Sequence, residues 1–230
     1  MHALRLSRYA ALVLVSALAH AGCRKDDNSN PLAPTPQARV MAIHASPDAP
    51  AVDLLVDGAV AGSGLAFPNN TAYLSVNAGT RNVKVNVAGT STTVINANLP
   101  VTGGVNYSVF AVDAVASIGA LVLTDDLTTP ATGKAHVRFV HLSPDAPAVD
   151  VAVTSGPVLF ADKSFKQYTA FTPVGAGNYN LEVRLAGTST VVLSLPGITL
   201  QAGKIYTVFA KGFVAGTGAQ ALGAQIVVNN

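Results

Sequence analysis

Two stretches of the chain alternate with a period of two. Val83, Val85 and Val87 are interleaved with Lys84 and Asn86, and Leu181, Val183 and Leu185 with Glu182 and Arg184. An extended backbone sends successive side chains to opposite faces, so each stretch predicts a half-buried β-strand. Gly89-Thr90-Ser91 and Gly187-Thr188-Ser189 then turn the chain into Thr92 to Leu99 and Thr190 to Leu195, which makes a hairpin in each half. Further strands are predicted near Val40 to His44, Val52 to Val56, Ala72 to Val76, Tyr107 to Val112 and Ala120 to Thr124. Val105 to Leu123 is nearly unbroken in apolar residues, but its counterpart in the second half carries Lys204, Lys211 and several glycines. No membrane-spanning helix favours such residues, so both stretches read as a pair of buried strands joined by a loop. Seven short strands punctuated by Gly, Pro and Asn predict an all-β fold made of antiparallel β-sandwiches of immunoglobulin-like or transthyretin-like type.

The pattern occurs twice. His44 to Asp53 reads HASPDAPAVD and His141 to Asp150 reads HLSPDAPAVD, with nine of ten residues identical. Thr71-Ala72-Tyr73 answers Thr169-Ala170-Phe171, Ala88 to Thr92 recurs letter for letter at Ala186 to Thr190, and Tyr107 to Ala111 returns as Tyr206 to Ala210. A repeat of this length is a domain duplication, since solenoid periods run from about 20 to 50 residues. The predicted organisation is a signal peptide over 1–22, a flexible tether over 23–38, a first sandwich over 39–127, a linker over 128–134 and a second sandwich over 135–230.

The start of the chain bears on location. Arg5 and Arg8 precede an uncharged apolar run from Tyr9 to Ala19, followed by Ala21-Gly22-Cys23. The run is too short to cross a bilayer and has the three parts of a secretory signal. Cys23 is the single cysteine and stands where a lipoprotein signal places the residue that is lipidated. His20 departs from that pattern, and Ala19-His20-Ala21 also suits ordinary cleavage, which would give a soluble periplasmic or extracellular product. Residues 24–37, RKDDNSNPLAPTPQ, contain one large aliphatic side chain and cannot offset the entropy of ordering, so they read as a disordered tether. With several acyl chains on Cys23 the expectation is export across the inner membrane and anchoring to the outer membrane or the cell surface.

Charge removes one class of partner. Without Arg5 and Arg8 the chain has 12 basic and 12 acidic side chains, so no basic surface remains for phosphate contacts and nucleic acid is not expected as a partner. A lone cysteine leaves no intrachain disulfide, and the fold must hold by its core.

The S-P-D-A-P-x-V-D run after a strand and histidine, the A-G-T hairpin and the Y-x-V-F-A strand together resemble the DUF4397 domain, a bacterial envelope domain of unknown function. The resemblance covers residues 39–124 and 136–228. It implies a secreted or anchored β-sandwich and supplies no catalytic or binding residues.

Candidate chemistry concentrates in the repeated corner. Pro47-Asp48 and Pro144-Asp145 have the composition of a turn, in which proline presets φ and aspartate binds nearby amides. On that reading the aspartates hold loops and His44 and His141 satisfy a carbonyl. The alternative is a metal site made of His44, Asp48 and Asp53, repeated as His141, Asp145 and Asp150, since imidazole with carboxylates suits divalent cations. Neither H-E-x-x-H nor an EF-hand loop is present. His44, Ser46 and Asp48 are too crowded to line up as a hydrolase triad, and Asp125-Asp126, at a strand end, are expected to face solvent. The candidate ligand surface is FADKSFKQYTAF at 160–171, where Lys163 and Lys166 interleave with Phe165 and Tyr168; the competing reading puts the aromatics in the core. No catalytic residue and no cofactor is expected. The sequence therefore points to a non-catalytic envelope module that binds a protein or glycan of the envelope or matrix and meets the membrane only through its anchor. The alternatives are a metal-dependent envelope enzyme using the His-Asp-Asp clusters and a small-ligand carrier with a pocket between the domains.

Overall fold

The structure is a computed structural model that describes residues 35–230. The expected signal peptide, Cys23 and the tether as far as residue 34 lie outside the described residues. Two sandwich-like units follow one another, each built from eight strands in two four-stranded sheets. In the first unit the strands are β1 (Gln37–His44), β2 (Val52–Val56), β3 (Ala59–Leu65), β4 (Leu74–Asn77), β5 (Gly79–Val87), β6 (Thr93–Val101), β7 (Asn106–Val112) and β8 (Gly119–Asp125). In the second they are β9 (Lys134–His141), β10 (Val149–Val153), β11 (Val158–Lys163), β12 (Thr172–Gly175), β13 (Gly177–Leu185), β14 (Val191–Leu200), β15 (Ile205–Lys211) and β16 (Gly223–Val228). One sheet of each unit has the order β4-β1-β7-β8 or β12-β9-β15-β16, and the other β3-β2-β5-β6 or β11-β10-β13-β14.

Two features go beyond the sequence reading. Each unit has an eighth strand, β3 or β11, hydrogen-bonded beside β2 or β10. Residues 59–65, AVAGSGL, are small and lack alternation, so the pattern does not mark them; their place is set by pairing with the neighbour. Moreover, the sheets are antiparallel apart from one ladder in each unit, where the first strand runs parallel to the seventh: β1 beside β7 and β9 beside β15.

Alternation along these parallel pairs explains the long apolar runs. Ala38, Val40 and Ala42 of β1 and Ala111 of β7 enter the core of the first unit, with Val52, Leu54, Val85 and Ile95 opposite. The intervening Met41, Ile43, Phe110 and Val112 face the other way, into a third cluster shared with Val140, Leu142, Phe209 and Val227. A sheet covered on both faces loses its polar side and reads as continuous hydrophobic sequence. The two units thus join face to face through their β1-β7 and β9-β15 sheets.

The joint is a pseudo-twofold. Phe110 and Phe209 occupy the same register position in their copies, and their rings meet edge to face with centroids 6.0 Å apart. Equivalent residues meeting each other is the mark of an isologous contact. At the rim, Lys211 of the second unit lies over the Phe67 ring at 5.4 Å, while Lys166 pairs with Asp113 of the first unit at 3.1 Å. The carrier reading placed a pocket between the units, but aromatic and aliphatic side chains fill that space.

Candidate functional site: the repeated corner and the buried clasp

The corner begins where β1 ends. Ser46 and Ala49 each precede a proline, which disfavours helical backbone and keeps the chain extended around a tight bend. His44 is fully buried, and its Nε2 lies 3.0 Å from the Pro50 carbonyl oxygen; His141 repeats this with Pro147 at 3.1 Å. A carbonyl oxygen only accepts, so Nε2 carries the proton and donates. Burial holds both imidazoles below their ordinary pKa, and they are neutral at pH 7. Their Nδ1 atoms are buried without a hydrogen-bond partner.

The aspartates serve other loops. An Asp48 carboxylate oxygen accepts from the Val115 amide at 2.7 Å, and Asp145 accepts from Val214 at 2.9 and 3.1 Å, tying each corner to the loop after the seventh strand. Asp53 accepts from Gly64 at 2.8 Å with one oxygen and from Gly89 at 2.9 Å with the other. Asp150 does the same with Asp162 at 2.7 Å and Gly187 at 2.9 Å. The Gly89 and Gly64 amides hold the Asp53 carboxyl below its usual range. Gly89 and Gly187 sit at φ +71° and +70°, where a side chain is strained, so the hairpin turn that presents the amide favours glycine.

Histidine, first aspartate and second aspartate therefore engage separate backbone groups and do not converge. Among the described residues no three His, Cys, Asp or Glu side chains gather closely enough to hold a metal ion. The Ser46 hydroxyl is buried without a partner, whereas Ser143 donates to the Gly212 carbonyl at 2.7 Å and reaches Asp145 at 3.5 Å; neither hydroxyl is hydrogen-bonded to its histidine. Nothing here forms a relay from hydroxyl to imidazole to carboxylate.

The aromatic and cationic stretch is also divided. Phe160 is buried and stacks on Phe139, and Phe171 lies under the Arg138 guanidinium at 4.5 Å. Lys163 donates to the Ala161 and Asp162 carbonyls, and Lys166 is committed to Asp113 with its ammonium 4.8 Å from the centre of the Phe165 ring. Of the four candidate ligand-binding residues, Tyr168 alone presents an uncommitted aromatic surface, being 51% exposed.

A buried polar cluster among the described residues is one the sequence reading missed. Asp125, expected at the surface, is 3% exposed and pairs with Arg138 across the joint at 2.8 Å. Its other oxygen accepts from the Tyr73 hydroxyl at 2.5 Å and the Ser108 hydroxyl at 2.7 Å. Arg138 also donates to Ser108 at 3.2 Å and Thr207 at 2.9 Å, and Asn229 bridges Thr207 to Tyr73. Burial lowers the Arg138 pKa while the Asp125 carboxylate opposes that shift. Burial and Asp125 push the Tyr73 phenol well above its usual value. The available signal was the departure from repetition: Met41 stands opposite Arg138, and Phe171 opposite Tyr73, in the duplicated alignment.

A family profile described as a domain of unknown function, DUF4397, matches residues 38–152, which is half of the chain. The chain belongs to the DUF4397 family. The match spans the first sandwich-like unit and continues through the corner of the second, ending within β10. No curated protein matches this DUF4397 chain significantly.

Proposed function

We propose that this DUF4397 chain is a lipid-anchored cell-envelope protein that presents two fused β-sandwich units for non-catalytic binding to, or structural association with, a protein or glycan of the envelope or matrix. The observation that carries the reading is the use of the repeated corner. His44, Asp48 and Asp53, and their counterparts, are spent on the chain's own carbonyls and amides, so the duplicated motif is accounted for by folding. Support for the anchor comes from the order of Arg5, Arg8, the apolar run and Cys23. Tyr168 and the outward faces of the outer sheets are the surfaces left for a partner.

Two experiments test the reading. Mass spectrometry of protein extracted from membranes is expected to find an acylated Cys23 as the first residue; an unmodified product beginning at Gly22 would refute the anchor. Metal analysis together with melting before and after chelation is expected to show no stoichiometric metal and an unchanged midpoint. Bound metal and a lowered midpoint would revive the metal-dependent enzyme.

A further inference from the structure

Each sandwich has an apolar cavity beneath its corner, open to solvent on one side. In the first unit it measures about 210 Å³ and lies between the sheets; in the second it measures about 170 Å³. The two share equivalent walls: His44 and His141, Val52 and Val149, Val85 and Val183, Ile95 and Leu193, Ala111 and Ala210. Close-packed interiors hold few voids larger than a water molecule, so a large space kept at one place in both copies calls for an occupant.

The walls state its chemistry. Besides the histidine, the only polar side chain among the described residues that lines either cavity is Asn98. Burial disfavours the charged form of the histidine, and its Nε2 proton is committed to the Pro50 or Pro147 carbonyl. No charge faces the space, and a charged ligand would lose its hydration without compensation. Water is also disfavoured, since it needs two or more polar partners: the second cavity offers one polar side chain, His141, and in the first Asn98 is exposed and its oxygen already accepts from Asn82. An apolar void of about 150 Å³ stays dry and accepts benzene, so these volumes suit a molecule of about six to ten non-hydrogen atoms. Entry has a path: Ala97 of β6 and Ala120 and Val122 of β8 line the first cavity and are exposed, and Val192 and Val214 play that part in the second.

The geometry points to a pair of binding sites, one inside each sandwich, for a compact, uncharged hydrophobic molecule of single-ring size. This goes beyond presentation of an outer surface, and its failure leaves the anchor and the partner-binding reading untouched. The test titrates benzene into full-length protein whose valine methyls are ¹³C-labelled, with benzoate as the charged control. Benzene is expected to shift the Val52, Val85, Val149 and Val183 methyls saturably, to raise the melting midpoint and to occupy two sites per chain. Benzoate is expected to do none of these. Ala111→Leu is expected to remove the first site and leave one. Ala97→Phe, at the exposed mouth, gives the same loss should Ala111→Leu fail to fold. Methyls that stay unmoved up to the solubility of benzene, equal shifts from benzoate, or shifts at Val52 and Val85 that survive the plug would each overturn the proposal.

Discussion

Arg138 and Asp125 form a buried salt bridge in a joint where aliphatic packing would also serve. The first copy has Met41 at the place of Arg138, and strand register puts Asn229 at the place of Asp125. Truncating one partner of a buried pair leaves the other charge uncompensated, at a cost of about 3–5 kcal/mol, whereas replacing both is often close to neutral. Arg138→Met is therefore expected to destabilise by that amount in urea unfolding. Arg138→Met with Asp125→Asn should recover most of the loss, because an asparagine oxygen still accepts from Tyr73 and Ser108. A double variant as unstable as the single one would assign the loss to packing rather than charge. The histidines carry a separate, pH-linked effect. Their folded pKa values lie below the unfolded value, so the unfolded chain takes up protons first. Stability is fully present above the unfolded pKa of about 6.5 and is lost as pH falls from there towards the depressed folded pKa. The melting midpoint is expected to fall between pH 7 and pH 5, and His44→Gln with His141→Gln should flatten that slope.

At the scale of elements, Asp53 and Asp150 hold together strands that the hydrophobic pattern leaves weakly defined. β3 is an edge strand of small residues, and the Gly64 amide bound to Asp53 fastens its end. The Gly89 amide fastens the β5–β6 turn to the same carboxylate. Asp53→Asn keeps the shape but loses the charge and one acceptor, so hydrogen exchange at Gly64 and Gly89 should quicken. The Asp53 pKa is depressed by folding, so its contribution is present above the unfolded value near 3.8 and is lost as pH falls through the folded one. The variant should accordingly melt below wild type at pH 7, with the gap closing in strong acid; a gap independent of pH would show that the carboxylate's charge is irrelevant. Alternation exposed β5 and β13 in the sequence, because one face of each meets a core and the other meets water, and the glycine turns that follow them exposed β6 and β14. It missed β3 because Ala, Gly and Ser carry little of that contrast.

At the scale of the whole molecule, the two units share a core. Phe110, Phe209, Ile43, Leu142 and Val140 are almost wholly buried at the joint, and a Phe or Leu side chain contributes about 1.5–3 kcal/mol on burial. Separating the units would expose that surface, together with an ion pair. Calorimetry is expected to show one cooperative transition whose calorimetric and van't Hoff enthalpies agree. Phe209→Ser should lower the midpoint of both units together or split the transition in two. Two transitions in the unaltered protein would mean that the joint contributes little.

The all-β class, the duplication, the corner and most strands were determined by sequence alone, because alternation, glycine turns and proline bends act through neighbours in the chain. The pairing of first and seventh strands in parallel, the face-to-face joint, the burial of Asp125 and the paired cavities were decided only by tertiary structure. Each depends on which residue lies opposite another tens of positions away, and a side chain's charge or solvent exposure follows from that partner rather than from its own neighbours in sequence.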